Sequence, residues 1–363
     1  MTALAARLKR RVQAAGPMSV AEYMSACLLD PADGYYTTRM PFGAAGDFTT
    51  APEISQMFGE LAAVWLFAAW EASGRPAPVL LAELGPGRGT MMRDMLQAWA
   101  RLDRDNAAKL EIALVEASPQ LAALQRQTLG PLAGKARWHA SVEELPGGPT
   151  LFVGNEIFDA LPVRQYQFAG GRWHERVVGL DEKGELSLML GPGAPDPKAL
   201  PQGVPAPERA VWEVSPAREV LMEQVAGRLE AHGGAGLFFD YGHLEPAYGD
   251  TLQAVRKHRP EPVLASPGEA DLTSHVDFSA LAATAQRHGL DAWTATQGDF
   301  LLAMGLLERA GRLGGGADAE AQARIRGEVE RLAGPDAMGT LFKVLAVAKP
   351  EVKLPALRST AAS

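Results

Sequence analysis

"PVLLAELGPGRGT", residues 78–90, decides the fold. Val79–Leu84 is a run of strand length, apolar except for Glu83. Gly85, Gly87 and Gly89 follow, and from Thr90 to Leu102 apolar residues recur at helical spacing. Strand, glycine turn and helix open a βαβ unit. In that unit the backbone approaches a ligand closely, and the helix N-terminus offers N–H groups with no partner inside the helix. Three ligands compete. A phosphate-binding loop needs Gly-Lys-Ser/Thr, and Gly89-Thr90 lacks the lysine. A dinucleotide fingerprint needs glycine where Thr90 stands. S-adenosylmethionine (SAM) remains, because Glu83 leads the glycines as an acid in E-x-G-x-G-x-G. A tight turn with no ligand is the bland alternative.

Further along, the strand–helix rhythm continues. "LEIALVEAS" reads as a second strand ending at Glu116, where a carboxylate can accept from both ribose hydroxyls of an adenosine. The distance from Gly89 to Glu116 exceeds the roughly 20 residues of a short unit, so extra structure is expected around 100–110. Ser118 and Pro119 have the chemistry of an N-cap and first helical residue. "ARWHA" and "PTLFVGN" give two more strands, "AGLFFDYGH" a fifth, and "LFKVLAVAK" a closing strand antiparallel to its neighbour. Alternation of this kind implies an α/β fold on a mostly parallel sheet.

Other segments depart from that rhythm. Ser19 and Glu22 have capping-box spacing, and Glu53–Ala72 reads as one apolar helix. Residues 164–190 alternate with period two around Gly170-Gly171 and Lys183-Gly184, as antiparallel hairpins do, and a Pro/Gly-rich stretch runs from 191 to 207. Late helices are expected at about 277–288, with Asp277 as N-cap, and at 298–312 and 317–333.

Composition narrows the function. A net charge of −8 opposes non-specific nucleic-acid binding. Cys27 is the only cysteine, so an internal disulfide and a Cys-based zinc site are excluded, and the histidine spacing points to no metal. No apolar run approaches the ~20 residues of a membrane span. The expectation is a cytoplasmic bacterial protein without membrane insertion. Arg7, Lys9, Arg10 and Arg11 precede the first acid, Glu22, as in an organellar presequence, but the reading favoured is a basic first helix of the fold.

"GPMSVAEYM", "GYY", "GDFTTAPEISQMFGE", "ELGPGRGTMMRDML", "NEIFDALPV", "DYGH" and "DLTSHVDF" occur in this order. Together they resemble the MidA-type SAM-dependent methyltransferases, a group that includes the mitochondrial assembly-factor methyltransferase of respiratory complex I. The similarity spans about residues 5–348. The resemblance implies a class I, Rossmann-like methyltransferase, with a mostly parallel seven-stranded sheet, an antiparallel last strand and an added substrate lobe. It implies a protein substrate, an arginine of a complex I subunit, modified during assembly. A small-molecule methyltransferase and a non-catalytic SAM-binding assembly factor are the alternatives; no oligomeric state is implied.

Residue by residue, the family's SAM loop falls on Glu83, Gly85, Gly87 and Gly89, and its ribose acid on Glu116. The segment expected to close the pocket falls on Gly46–Ser55, with Gly46, Asp47 and Thr49 as cofactor contacts. The motif after the fourth strand falls on Glu156, Asp159 and Pro162. Asn155 stands where related sequences can carry histidine. An arginine acceptor stays protonated, and paired carboxylates can hold its planar fork. Glu156 and Asp159, three apart, would share a face on one helical turn, with Asn155 as an orienting hydrogen-bonder. The competing role for Asp159 is to cap the turn before Pro162. Asp240, Tyr241 and His243 end the fifth strand at the same edge, as candidate walls of the acceptor pocket. The expected domains are 1–75 (helical region and closing loop), 76–163 (first part of the core), 164–214 (β insertion), 215–348 (rest of the core with the helical part of the lobe) and 349–363 (flexible tail).

Overall fold

The computed structural model describes residues 2–38, 49–197, 200–201, 205–352 and 358–359. The chain forms two compact units, each assembled from separate segments. One comprises Met1–Phe48, Phe158–Val220 and Glu245–Val276; the other comprises Thr49–Ile157, Leu221–Leu244 and Asp277–Ser363.

The second unit carries the α/β core. Its strands are β1 (Leu80–Leu84), β2 (Glu111–Val115), β3 (Ala136–His139), β4 (Thr150–Asn155), β5 (Gly234–His243), β6 (Asp291–Thr296) and β7 (Phe342–Ala348). They lie in the order β3-β2-β1-β4-β5-β7-β6, with the two-residue strand Arg358–Ser359 beyond β6. The first five are parallel, and β7 runs antiparallel to both neighbours. The central strands β1 and β4 are buried almost throughout. Both faces are covered, which is why they read as continuous apolar runs rather than alternating ones.

Helix α1 (Gln56–Ala72) does not extend back to Glu53. Ser55 is extended (φ −157°) and caps α1 by accepting from the Met57 N–H, which leaves Ala51–Ile54 as a separate turn. Helix α2 (Thr90–Leu102) follows β1, and the extra structure expected near 100–110 is a short helix, Arg104–Ala107. Ser118 and Pro119 cap and start helix α3 (Pro119–Leu129). Asp277 caps the helix Phe278–Arg287 by accepting from the Ser279 and Ala280 N–H groups.

Phe58 of α1 packs edge-on to Phe239 of β5, at 4.7 Å between ring centroids, and Phe239 meets Phe300 at 5.4 Å. The late helices break at Gly305 (φ +89°) into Gln297–Ala303 and Leu306–Gly314, followed by Ala319–Ala333. They belong to this unit, not to the lobe in which they were expected. Buried Glu60 of α1 holds them, accepting from Arg309 at 2.6 and 2.9 Å and from Arg101 at 2.9 Å.

The other unit joins helices Ala3–Ala15 and Val20–Leu29 to two antiparallel sheets. The larger contains Met18–Ser19, Arg164–Ala169, Arg172–Leu180, Leu186–Leu190 and Val211–Val214; the smaller contains Gln253–Arg256, Arg259–Glu261 and Asp271–Thr273. The Ser19–Glu22 capping box forms as expected. In the basic first helix, Leu4, Leu8 and Val12 enter this unit's core while Lys9 meets Glu185 at 2.6 Å, so its charge is used within the fold. Buried Arg218 donates to the carbonyls of Phe158, Asp159, Ser274 and His275 at 2.6–3.2 Å, sewing two loops together.

Candidate active site

The strand order reverses direction between β1 and β4, and ligands of open α/β sheets bind outside the carboxyl ends at such a point. Leu84 pairs with Val115 on one side and Gly154 on the other, so β2, β1 and β4 end at one level. The residues that leave them remain tied to the next strand: Gly85 N–H donates to Val115 at 3.1 Å, Glu116 N–H to His139 at 2.8 Å, and Glu156 N–H to Phe239 at 2.9 Å. One sheet edge therefore presents the glycine turn, Glu116 and Glu156 side by side.

The turn needs its glycines. Gly85, Gly87 and Gly89 have φ of +60°, +51° and +83°, a region side chains rarely enter. A Cβ on Gly85 would lie 2.7 Å from Ile157 Cγ2. Gly89 is the N-cap of α2 and supplies no side-chain cap; of the helix's first N–H groups, that of Met92 turns to Glu83.

Glu83, at the end of β1, is 2% exposed, and burial pushes its carboxyl well above the usual carboxylate range despite a hydrogen bond from the Met92 backbone. Its Oε2 is buried with no hydrogen-bond partner among the described residues. A buried acid with one oxygen unpartnered, beside an anion-friendly turn, fits a ligand carrying both charges, as the methionine end of SAM does.

Glu116 is also raised by burial, opposed by its hydrogen bonds. Its Oε1 accepts from the Ser118 N–H at 2.8 Å and its Oε2 from Gln125 Nε2 at 3.0 Å. Gln125 was missed in the sequence. The available signal was a polar residue on the buried face of α3, in line with Leu121, Ala122 and Leu129.

Glu53 was also passed over as a side chain. It accepts a hydrogen bond from Thr90 Oγ1 and lies 3.9 Å from Arg88. Residues 51–54 are thereby brought to the glycine turn. Thr49 precedes this turn by two residues; Gly46 and Asp47 lie outside the described residues.

The acceptor residues depart from expectation. Glu156 has φ +53° in a bend, so it and Asp159 are not on one helical turn and the shared-face argument fails. Glu156 stays with the core and Asp159 with the other unit. Asp159 is buried, and its carbonyl accepts from Ser274 N–H at 3.1 Å and Arg218 Nη2 at 3.2 Å. Asn155 Nδ2 donates to Glu156 Oε1 at 2.9 Å, while Asn155 Oδ1 is buried without a partner among the described residues. Asp240 and Tyr241 are buried inside β5. Asp240 accepts from the Tyr241 N–H at 3.0 Å, and the Tyr241 ring meets Phe342 at 5.4 Å. Only His243 reaches the strand tip, half-buried, its Nδ1 3.9 Å from Asp277 Oδ1.

Sheet order, glycine turn and the acid after β2 together define a class I SAM-dependent methyltransferase. Residues 61–296 match the family described as "putative S-adenosyl-L-methionine-dependent methyltransferase". The protein arginine methyltransferase NDUFAF7 homolog, mitochondrial, of Drosophila melanogaster is 37% identical over 371 residues, 95% of this chain and 84% of that one. Human NDUFAF7, a mitochondrial protein arginine methyltransferase, is 35% identical over 329 residues, 84% of this chain and 74% of that one. A Burkholderia thailandensis protein crystallised with S-adenosyl-homocysteine superposes with a TM-score of 0.86 at 31% identity, covering 98% of this chain and 93% of that one. The chain belongs to this family, the MidA-type SAM-dependent methyltransferases.

One expectation is overturned. The curated relatives are named as mitochondrial proteins, which contradicts the cytoplasmic assignment. A lone cysteine excludes an internal disulfide but does not name a compartment. Among the described residues no helix is long and apolar enough to cross a membrane.

Proposed function

We propose that this methyltransferase modifies an arginine side chain of a protein, and that the protein is a subunit of respiratory complex I undergoing assembly. The reading is supported by relatives named as protein arginine methyltransferases. The observation that carries it is the placement of Glu156. This carboxylate leaves β4 level with the glycine turn, oriented by Asn155, one strand from the acid that suits the cofactor.

SAM supplies an electrophilic methyl group on a sulfonium. When SAM is bound, Glu83 would hold the positive methionine end, the glycine turn would let the ligand approach the backbone, and Glu116 would accept from the ribose hydroxyls. A carboxylate such as Glu156 can accept both arms of a planar guanidinium fork. Holding that planar cation fixes which nitrogen faces the methyl group. Methylation by SAM would break its C–S bond and release S-adenosyl-homocysteine, while Glu156 is placed to receive the proton that the acceptor nitrogen gives up and pass it to solvent. Asp159 serves through its main chain, as an anchor for the loop that follows. His243, at the tip of β5, borders the acceptor.

The test is incubation with methyl-labelled SAM and purified complex I subunits, followed by peptide mass spectrometry. A methyl group on a subunit arginine is expected. Label on a small metabolite, or on no acceptor under conditions where SAM binds, would overturn the assignment.

A further inference from the structure

We propose that Gln125 is a positioning residue for the cofactor's ribose, an amide that sets the angle of Glu116 and locks it to the glycine turn. The residue is 0% exposed, and its Nε2 reaches both the glycine turn and Glu116. Nε2 donates to the Gly87 carbonyl at 2.9 Å and to Glu116 Oε2 at 3.0 Å; Oε1 accepts from Trp138 Nε1 at 2.8 Å. An indole N–H only donates. Trp138 therefore fixes which end of the amide faces it, and both Nε2 hydrogens must point toward Gly87 and Glu116.

This arrangement does more than satisfy a buried polar group. With the Ser118 N–H on Oε1 and Gln125 on Oε2, the Glu116 carboxylate is held at both oxygens and its plane is set. The same amide grips the middle glycine of the turn. Helix α3 lies directly against the turn: a Cβ on Gly89 would be in contact with Gln125 Cα at 3.4 Å. The acid that reads the ribose and the turn that faces the rest of the ligand thus move as one piece, which is how preorganisation raises affinity.

The inference rests on the assignment of Glu116 to the ribose, so the test separates the two. Calorimetry would measure Kd for S-adenosyl-homocysteine and for its 2′,3′-dideoxyribose analogue, on the wild type and on Gln125→Leu, Trp138→Phe and Glu116→Gln. Gln125→Leu is expected to weaken the natural ligand by about tenfold or more, the worth of a hydrogen bond to a charged group, and to leave the dideoxy analogue nearly unchanged. Discrimination between the two ligands shrinks accordingly. Trp138→Phe releases the amide without removing it and should shift discrimination the same way by a smaller factor; it carries the test if Gln125→Leu does not fold. Equal weakening of both ligands in both variants would make Gln125 a structural residue only and overturn the proposal. Retained discrimination in Gln125→Leu, with discrimination lost in Glu116→Gln, would refute the positioning role alone. Retained discrimination in Glu116→Gln would remove the ribose assignment and the proposal with it.

Discussion

Replacing Gly85 with alanine puts one methyl group into the closest approach in the site. Two costs add. Alanine at φ +60° pays about 1–2 kcal/mol for the left-handed conformation. The new Cβ, 2.7 Å from Ile157 Cγ2, overlaps a branched carbon that cannot swing away as a flexible chain end would. Overpacking of that kind costs about 1–3 kcal/mol. The expected loss is therefore about 2–5 kcal/mol in chemical denaturation. Ile157 directly follows Glu156, so methyl transfer should fall even where cofactor binding survives. A double-mutant cycle separates the costs: Ile157→Ala removes the overlapping carbon but leaves the backbone strain. Gly85→Ala on the Ile157→Ala background should recover at least about 1 kcal/mol relative to Gly85→Ala on the wild type. A Gly85→Ala protein within a few tenths of a kcal/mol of wild type, or a cycle with no coupling, would refute the close approach of turn and acceptor segment.

Further expectations concern the acids. Glu83→Gln should stabilise the ligand-free protein at pH 8 more than at pH 5, read from melting temperature. The raised carboxyl binds its proton more tightly folded than unfolded, so wild-type stability falls as pH rises above the ordinary carboxylate range. Wild-type affinity for S-adenosyl-homocysteine should strengthen over that same rise, and Glu83→Gln should flatten the dependence. Arg309→Met should cost about 2 kcal/mol in guanidinium denaturation, since burial of Glu60 is offset by its bonds from Arg309 and Arg101. Those bonds leave the Glu60 carboxyl below its ordinary value. The stability they supply is present above that value and lost as pH falls through the folded one, so the variant should converge on wild type in acid.

Much of the core was legible because its signals are local. The turn's three glycines, the acid before them, the caps at Ser19 and Ser118 and the apolar central strands each announce themselves within a few residues. What failed to show depended on distant partners. Strand Asp291–Thr296 is short and only partly buried, and it becomes a strand by pairing with β7 some fifty residues away. Gly305 lies inside the helix expected at 298–312, yet its left-handed backbone splits that helix in two. The smaller unit draws on three separated segments, and no periodicity in any one of them reveals the other two. At the site, the acids were visible but their geometry was not. A glutamate at φ +53° is uncommon, and it turned an expected helical pair into a single carboxylate with an amide beside it. That amide is Asn155, which donates to Glu156 Oε1 at 2.9 Å.

The central claim is that Glu156 handles the acceptor while the glycine turn, Glu83 and Glu116 hold the cofactor. The most direct measurement is single-turnover methyl transfer to a subunit arginine by Glu156→Gln, with S-adenosyl-homocysteine affinity measured on the same preparation. Affinity should stay within about threefold of wild type, and the rate should fall about a hundredfold or more, the range for losing a group that manages a proton in the transition state. An unchanged rate, or a loss of affinity as large as the loss of rate, would contradict the division of labour between the two strand tips.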